Sequence, residues 1–221
     1  MHPMRKRFDL LVFDWDGTLM DSAACIAASI QGACRDLGFA VPSERDARYV
    51  IGLGLNDALA HVLPGVPPDQ YPRVVERYRH HFLQGDGGTA LFSGAAEMLD
   101  ALRDAGHLLA VATGKSRRGL DRALAATGLA THFHATRCAD EGFSKPHPGM
   151  LYRLLEELDV APGRALMIGD TTHDMQMAKA AGMDRLAVAH GAHEARELLE
   201  YEPLACVQDC GELARWLAEH A

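Results

Sequence analysis

Two aspartates separated by one tryptophan stand at the end of a short apolar run, in the stretch LLVFDWDGTLMDS at 10–22. The run from Phe8 to Phe13 has the length and composition of a buried strand. A buried carboxylate is costly unless a cation or hydrogen-bond donors meet it. Residues two apart on an extended strand point to the same side, so Asp14 and Asp16 are predicted to share a partner.

Further polar residues follow apolar runs later in the chain. LLAVATGKS contains Thr113 and Gly114, SKPHP contains Lys145, and MIGDTTHD contains Asp170 and Asp174. In an open α/β sheet, ligands gather at the carboxyl ends of the strands, near the topological switch point. The sequence therefore predicts that these segments converge with the first two aspartates on one edge of a sheet.

Carboxylates, a lysine and a strand-end Thr-Gly pair together suit magnesium and phosphate. Mg²⁺ prefers oxygen ligands, keeps several waters and takes one or two carboxylates together with a substrate phosphate. We therefore expect a cation to meet Asp14 and Asp170. Thr113, with the backbone N–H that follows it, and Lys145 would hold phosphoryl oxygens as their charge rearranges.

Each of these residues also has a purely structural interpretation. Asp14 and Asp16 could be a helix cap and a turn residue, and Lys145 could be a solvated loop cation. Thr113, Ser116 and Asp174 could be ordinary helix caps. Independent caps need not fall at successive strand ends, so their joint placement favours a shared site.

Alternating strand and helix patterns must position these residues. From about Leu91 onward, the predicted strands HLLAVATG, HFHATRCAD, RALMIGD, DRLAVAHG and LACVQDC are separated by patterns of helical period. This alternation predicts an α/β fold with a mostly parallel sheet covered on both faces. Residues 22–89 instead carry three helical patterns, at 26–37, 56–62 and 71–83, and no convincing strand. They predict a small all-α insertion that ends near GDGGT at 85–89.

Composition restricts the class of protein. The 221 residues are 48% hydrophobic and 24% charged, which is typical of a globular chain. The 30 acidic residues outnumber the 22 lysines and arginines, giving a net charge of -8. Nucleic acid is therefore a poor partner. The apolar run before Asp14 is too short for a signal peptide or a membrane span, so we expect no membrane partner and a cytoplasmic location.

The cysteines and histidines predict no second metal site. The five cysteines form no CxxC pair, which favours free thiols in a reducing compartment. Cys206 and Cys210 lack a second ligand pair nearby. The twelve histidines, His80 and His81 among them, lack a partner cluster and are interpreted as surface or core residues.

Four motifs carry a resemblance to a known family. DWDGT, ATGKS, SKPHP and GDTTHD, in this order, resemble the motifs of the haloacid dehalogenase-like hydrolases. The insertion resembles the helical cap of the subfamily that contains phosphoglycolate phosphatases and β-phosphoglucomutases. The resemblance implies a Rossmann-like parallel-sheet core at 1–21 and 90–221, with an inserted α-helical cap domain at 22–89.

The resemblance also implies roles for individual residues. Asp14 would be the nucleophile that forms an aspartyl-phosphate, and Asp16 the general acid and later the base. Thr113 and Lys145 would bind phosphate. The implied cofactor is Mg²⁺, held by Asp14, Asp170 and the Asp16 carbonyl, with Asp174 orienting the metal shell. The implied substrate contacts are Asp14, Asp16, Gly17, Thr18, Thr113, Gly114 and Lys145.

The predicted function is a Mg²⁺-dependent phosphatase that hydrolyses a small phosphorylated metabolite, with phosphoglycolate as the leading candidate by resemblance. A phosphomutase and a catalytically silent regulatory module remain alternatives. A carbon-halogen hydrolase is disfavoured, because that branch of the family lacks the acid supplied by Asp16. Substrate-contacting cap residues are expected near YVIGLGLNDAL. The basic residues Arg73, Arg77, Arg79 and His80 are read first as a solvated helix face. Monomer and homodimer are both left open.

Overall fold

A six-stranded parallel sheet forms the centre of the fold. The computed structural model describes residues 6–85 and 89–221. The strand order is β3-β2-β1-β4-β5-β6, with every neighbouring pair parallel. The first strand is therefore central, which places the topological switch point beside it. The strands are β1 Leu10–Phe13, β2 Leu108–Thr113, β3 Ala135–Cys138, β4 Ala165–Gly169, β5 Asp184–Val188 and β6 Cys206–Val207.

Helices follow the strands and cover both faces of the sheet. Alternate residues of β1 enter different clusters: Leu11 and Phe13 pack on one face, while Leu10 and Val12 pack on the other. Burial on both sides explains why the strands read as continuous apolar runs. The prediction of an α/β fold with a covered parallel sheet is confirmed. The core helices are α5 Ala95–Asp104, α6 Arg117–Thr127, α7 Gly149–Glu157, α8 Thr172–Ala180, α9 Ala195–Leu199 and α10 Cys210–His220.

In its described residues, the segment between β1 and α5 consists of helices joined by loops and contains no named strand. Three of its helices, the first, third and fourth, share a hydrophobic cluster of their own, which includes Ile26, Ile30, Leu59 and Phe82. We call this helical layer the cap. Part of its predicted boundary, 86–88 of the GDGGT stretch, lies outside the described residues. The cap helices are α1 Ala23–Asp36, α2 Glu44–Tyr49, α3 Leu55–Val62 and α4 Tyr71–Gly85.

Helix α2 was not predicted. It has six residues, too few for a 3.6-residue period to be recognised, and its N-cap is Ser43, whose side chain accepts a hydrogen bond from the Asp46 N–H. No helix in the part of the chain that the structure describes is both long and apolar enough to span a lipid bilayer.

Candidate active site

The first aspartate stands at the carboxyl end of the central strand. Asp14 is completely buried, and its N–H donates to the Ile168 carbonyl of β4 at 2.9 Å. Asp170 directly follows β4, and Asp174 lies in the first turn of α8. One carboxylate oxygen from each of these three aspartates lies within 4.8 Å of the others. The predicted convergence at this edge of the sheet is therefore present.

A buried lysine holds two of these carboxylates. Lys145 is 1% exposed, and its Nζ lies 2.7 Å from Asp14 Oδ1 and 2.7 Å from Asp174 Oδ1. Burial alone would lower the pKa of Lys145, but the two carboxylates raise it above its ordinary range. The lysine is thus a permanent cation inside the site, not a solvated loop residue.

One carboxylate oxygen of the site is left without a donor. Asp14 Oδ2 is buried and has no hydrogen-bond partner among the described residues. Burial, together with the negative charges of Asp174 and Asp170, raises the pKa of Asp14 even though Lys145 opposes the shift. Three buried carboxylates facing one ammonium carry an excess of negative charge. This excess charge and the hard oxygen donors of the three aspartates fit a divalent cation such as Mg²⁺.

Asp170 is oriented by neighbours on two other segments. Thr18 Oγ1 donates to its Oδ1 at 2.7 Å, and the Ala192 N–H donates to its Oδ2 at 2.8 Å. A Cβ at Gly17 or Gly191 would collide with this carboxyl group, so both positions require glycine. Burial and the Asp174 carboxylate raise the pKa of Asp170 to about 7. Gly17 and Thr18 thus support Asp170, and their predicted substrate contacts stay predictions.

Asp174 caps α8, as its structural interpretation predicted, and it also pairs with Lys145. Its Oδ2 accepts from the N–H of Thr171 at 3.1 Å and from the Thr171 hydroxyl at 2.7 Å, completing the capping box of α8. Its Oδ1 pairs with Lys145. One side chain therefore begins the helix and also fixes the cation of the site.

Asp16 has two partners that the sequence did not single out. Its Oδ1 accepts from the Ser22 hydroxyl at 2.6 Å and lies 2.9 Å from Lys115 Nζ. Within the described residues, Oδ2 makes no hydrogen bond. The second carboxylate of the DxD pair is thus held by one oxygen, which leaves the other for a ligand. Sequence reasoning could have found Lys115 only because it directly follows Thr113 and Gly114.

The turn after β2 contains the residues predicted to bind phosphate. Thr113 is completely buried, its Oγ1 accepts from the Lys115 N–H at 3.2 Å, and Ser116 caps α6 by accepting from Gly119. A Cβ at Gly114 would lie 2.5 Å from the carbonyl oxygen of Gly52 in the cap. The turn therefore meets the cap backbone directly, and glycine permits that approach.

The cap also contacts the core through two imidazoles. Nε2 of His173 and Nε2 of His193 lie 2.8 and 3.0 Å from the carbonyl oxygen of Tyr49, the last residue of α2. Nδ1 of His193 accepts from the Thr172 N–H at 3.0 Å. Burial lowers the pKa of His173 to about 4 and also lowers that of His193, so both rings are neutral donors. These residues position the cap over the carboxylates.

A cavity of about 830 Å³ lies between cap and core. It is lined at the core end by Asp14, Asp16, Thr113 and Gly114, and at the cap end by segments that include the predicted stretch 50–58. The basic residues of α4 divide: Arg79 lines the cavity, whereas Arg77 pairs with Asp36 and Arg73 donates to Gln70. Arg79 is also exposed, so the solvated-face interpretation stands for it, and a substrate contact stays a prediction.

The cysteines and remaining histidines form no second metal cluster among the described residues. All five cysteines are free thiols, as the sequence predicted. Trp15, between the two aspartates, is fully buried and meets Phe133 edge to face with ring centroids 6.3 Å apart.

Comparison with known sequences agrees with this geometry. Residues 11–188 match the family model described as haloacid dehalogenase-like hydrolase. The chain is similar to "Probable phosphatase IndB" of Dickeya dadantii, with 34% identity over 209 residues covering 92% of this chain and 91% of that protein. It is also similar to the phosphoglycolate phosphatase of Vibrio cholerae, with 29% identity over 218 residues covering 94% and 96% of the two chains.

Two further similarities concern length and fold. Tyrosine-protein kinase PtkA of Mycobacterium tuberculosis shares 32% identity over 183 residues, which cover 82% of this chain but only 62% of that protein. The crystal structure of a hydrolase from Pseudomonas syringae matches with a TM-score of 0.89 at 21% identity, covering 96% of this chain and 99% of that one. The structural likeness shows a shared fold.

Proposed function

This chain belongs to the haloacid dehalogenase-like hydrolases, and we propose that it is a Mg²⁺-dependent phosphatase that hydrolyses a phosphorylated metabolite through an aspartyl-phosphate. The observation that carries the proposal is the ion pairing of Lys145 with both Asp14 and Asp174, which leaves Asp14 Oδ2 buried without a donor. A carboxylate nucleophile needs such an oxygen, free of donors and directed into a charged site.

In the first step, a carboxylate oxygen of Asp14 attacks phosphorus while the bond from phosphorus to the substrate oxygen breaks. Asp16, as the protonated acid, gives its proton to the departing oxygen. Thr113 and the N–H groups of the turn after β2 bind the phosphoryl oxygens together with Lys145, whose charge compensates theirs. The products of this step are the free alcohol and a phosphorylated Asp14.

In the second step, Asp16 acts as a base. Its carboxylate takes a proton from a water molecule as that water attacks phosphorus, and Asp14 leaves as a carboxylate with release of inorganic phosphate. Splitting one displacement into two lowers each barrier, and a single acid two residues from the nucleophile serves both. The cap excludes other water from the intermediate.

Mg²⁺ would be held by Asp14, the Asp16 carbonyl and Asp170, with Asp174 orienting the metal shell, and when bound it would neutralise phosphoryl charge. The aspartates fit this role because they offer hard oxygen donors with an uncompensated charge. Asp174 would act mainly through Lys145, because its Oδ2 already accepts hydrogen bonds from Thr171 at the start of α8.

Phosphoglycolate is the first substrate to test, because the relative from Vibrio cholerae carries that activity in its name. The assay measures inorganic phosphate released with Mg²⁺ from a panel of phosphate esters. Release of phosphate supports the proposal, whereas retention of all phosphate in organic form would indicate a mutase. Lack of turnover on any ester, including a generic aryl phosphate, would leave the silent regulatory module.

The nucleophile is tested by trapping. Denatured enzyme, quenched during turnover, should carry phosphate on Asp14 that hydroxylamine releases. Asp14→Asn should be folded but inactive, because an amide is a poor nucleophile and a poor metal ligand. Activity within about tenfold of the parent would contradict the assignment, since losing a covalent nucleophile costs several orders of magnitude. The cytoplasmic location expected from the sequence stays a prediction.

A further inference from the structure

The cavity extends well beyond the carboxylates and the phosphate-binding turn. From Asp16 and Thr113 it continues between α1 and α4 of the cap and α6 of the core. Its volume of about 830 Å³ is that of pockets that enclose drug-sized ligands, roughly 300–1,000 Å³. A two-carbon phosphate such as phosphoglycolate would leave most of this space to water.

The wall away from the phosphate end is apolar. Ile26 and Ile30 come from α1, and Val75 and Phe82 come from α4. These side chains belong to, or pack against, the hydrophobic cluster of the cap, so the wall is fixed by the same packing that holds the helices together. A surface of this kind gains binding free energy only by covering an apolar ligand group.

Two guanidinium groups at the cavity have no acidic partner among the described residues. Arg79 of α4 and Arg118 of α6 line the cavity, and neither makes an ion pair or hydrogen bond with any residue that the structure describes. The Phe82 ring lies near two further cations, with Lys115 Nζ 5.0 Å and Arg122 Cζ 5.8 Å from its centroid. One of these arginines belongs to the cap and the other to the core, and both line the same cavity, where a planar anion could be bound by both.

We infer that the substrate of the proposed phosphatase is a phosphate monoester with an apolar, ring-sized body that ends in a carboxylate. The inference rests on the proposed function for the position of the phosphate. The ester phosphate lies at Asp14 and Thr113, the body against the apolar wall, and the carboxylate at Arg79 and Arg118. A small phosphate fills only the first of these three places.

Binding of non-hydrolysable phosphonates tests the inference directly on the intact protein with Mg²⁺. The probes are 4-carboxybenzylphosphonate, benzylphosphonate and 3-phosphonopropionate, which is close in size to phosphoglycolate. Calorimetry should give a Kd for the carboxybenzyl compound at least about tenfold below that of 3-phosphonopropionate, because the apolar wall discriminates by contact area. Benzylphosphonate should bind more weakly than its carboxylated partner, because it leaves the arginines unpaired.

Two variants separate the body from the carboxylate. Val75→Trp places a larger side chain in the cavity. It should weaken binding of the carboxybenzyl compound about tenfold or more while leaving the affinity for 3-phosphonopropionate nearly unchanged. Arg118→Gln is an exposed change with little risk to folding, and it should remove most of the preference for the carboxylated ring. Arg73→Gln is the matched control, because Arg73 lies on α4 but outside the cavity lining.

Equal or tighter binding of 3-phosphonopropionate would overturn the inference, as would an Arg118→Gln protein that keeps the full preference for the carboxylated ring. Failure of the proposed function has a different signature. In that case no ester of either size releases phosphate, while the order of the phosphonate affinities is still measured. Phosphate release that is fastest from phosphoglycolate, with the small phosphonate bound best, would keep the phosphatase and refute the large substrate.

Discussion

Lys115 Nζ lies 2.9 Å from Asp16 Oδ1, so the turn proposed to bind phosphate also holds the proposed general acid. The same ammonium lies 5.0 Å from the centroid of the Phe82 ring in the cap. We expect Lys115→Met to reduce kcat by about tenfold or more, because an acid displaced by a fraction of an ångström transfers protons poorly. Steady-state kinetics on an aryl phosphate measures the loss.

The matched control is Lys179→Met on α8, an exposed lysine with no ion pair among the described residues. It should leave kcat unchanged. Lys115→Arg should recover part of the activity, since a guanidinium can pair with the same carboxylate. An unchanged kcat in Lys115→Met would show that the ion pair is incidental.

Asp16→Asn should separate the two chemical steps. An activated aryl phosphate has a leaving group that needs little protonation, so phosphorylation of Asp14 should still proceed. Hydrolysis of the phosphoenzyme should slow by roughly 10²–10⁴-fold, the usual contribution of a general base. Rapid-quench measurements should therefore find the phosphoenzyme accumulating. Equal loss of both steps on such substrates would refute the division of roles.

Binding of Mg²⁺ should release protons at mildly acidic pH. In the metal-free protein the pKa of Asp170 is raised to about 7, so at pH 6 this carboxyl carries a proton that the cation must displace. Above that pKa Asp170 is already ionised, so its share of the proton release should disappear and Mg²⁺ affinity should rise less steeply with pH. Calorimetry in buffers of different ionisation enthalpy counts the protons at pH 6 and pH 8.5.

Asp170→Asn is the control for that titration, and proton release that does not vary with pH would contradict the prediction. Chelation should abolish turnover, and Mn²⁺ should restore it in place of Mg²⁺. Ca²⁺ should bind without supporting turnover, since its looser and larger coordination shell misplaces the nucleophile and the phosphate.

The free thiols should differ in reactivity. Cys138 and Cys210 are buried, and burial raises the pKa of Cys138 to about 12 and that of Cys210 to about 11. Because the thiolate is the reactive form, both should resist alkylation at pH 8 in the folded protein. The partly exposed Cys25 should be labelled first. Mass spectrometry after brief iodoacetamide treatment checks the order, and early labelling of Cys138 would contradict it.

The carboxylate cluster was predictable because its signal is local and the sheet supplies the rest. Apolar runs that end in polar residues mark strand ends, and parallel strands bring those ends to one edge. The short helix α2 and the pairing of Lys115 with Asp16 carried no comparable signal. The contact of His173 and His193 with the Tyr49 carbonyl was also hidden, since a backbone acceptor leaves no mark on residue type. Such contacts depend on how the cap is placed against the core.

The close approach of Gly114 to the Gly52 carbonyl allows the cap to lie directly against the core at this turn. A methyl group at position 114 would lie 2.5 Å from that oxygen and would keep the cap from closing fully, without touching any carboxylate. The substitution would alter how long the cap stays closed over the site. That time must be long enough for one water to react and short enough for phosphate to leave. Gly114→Ala should therefore shorten the time that the cap stays closed. Bulk water should then enter the site more often, and the product should leave sooner.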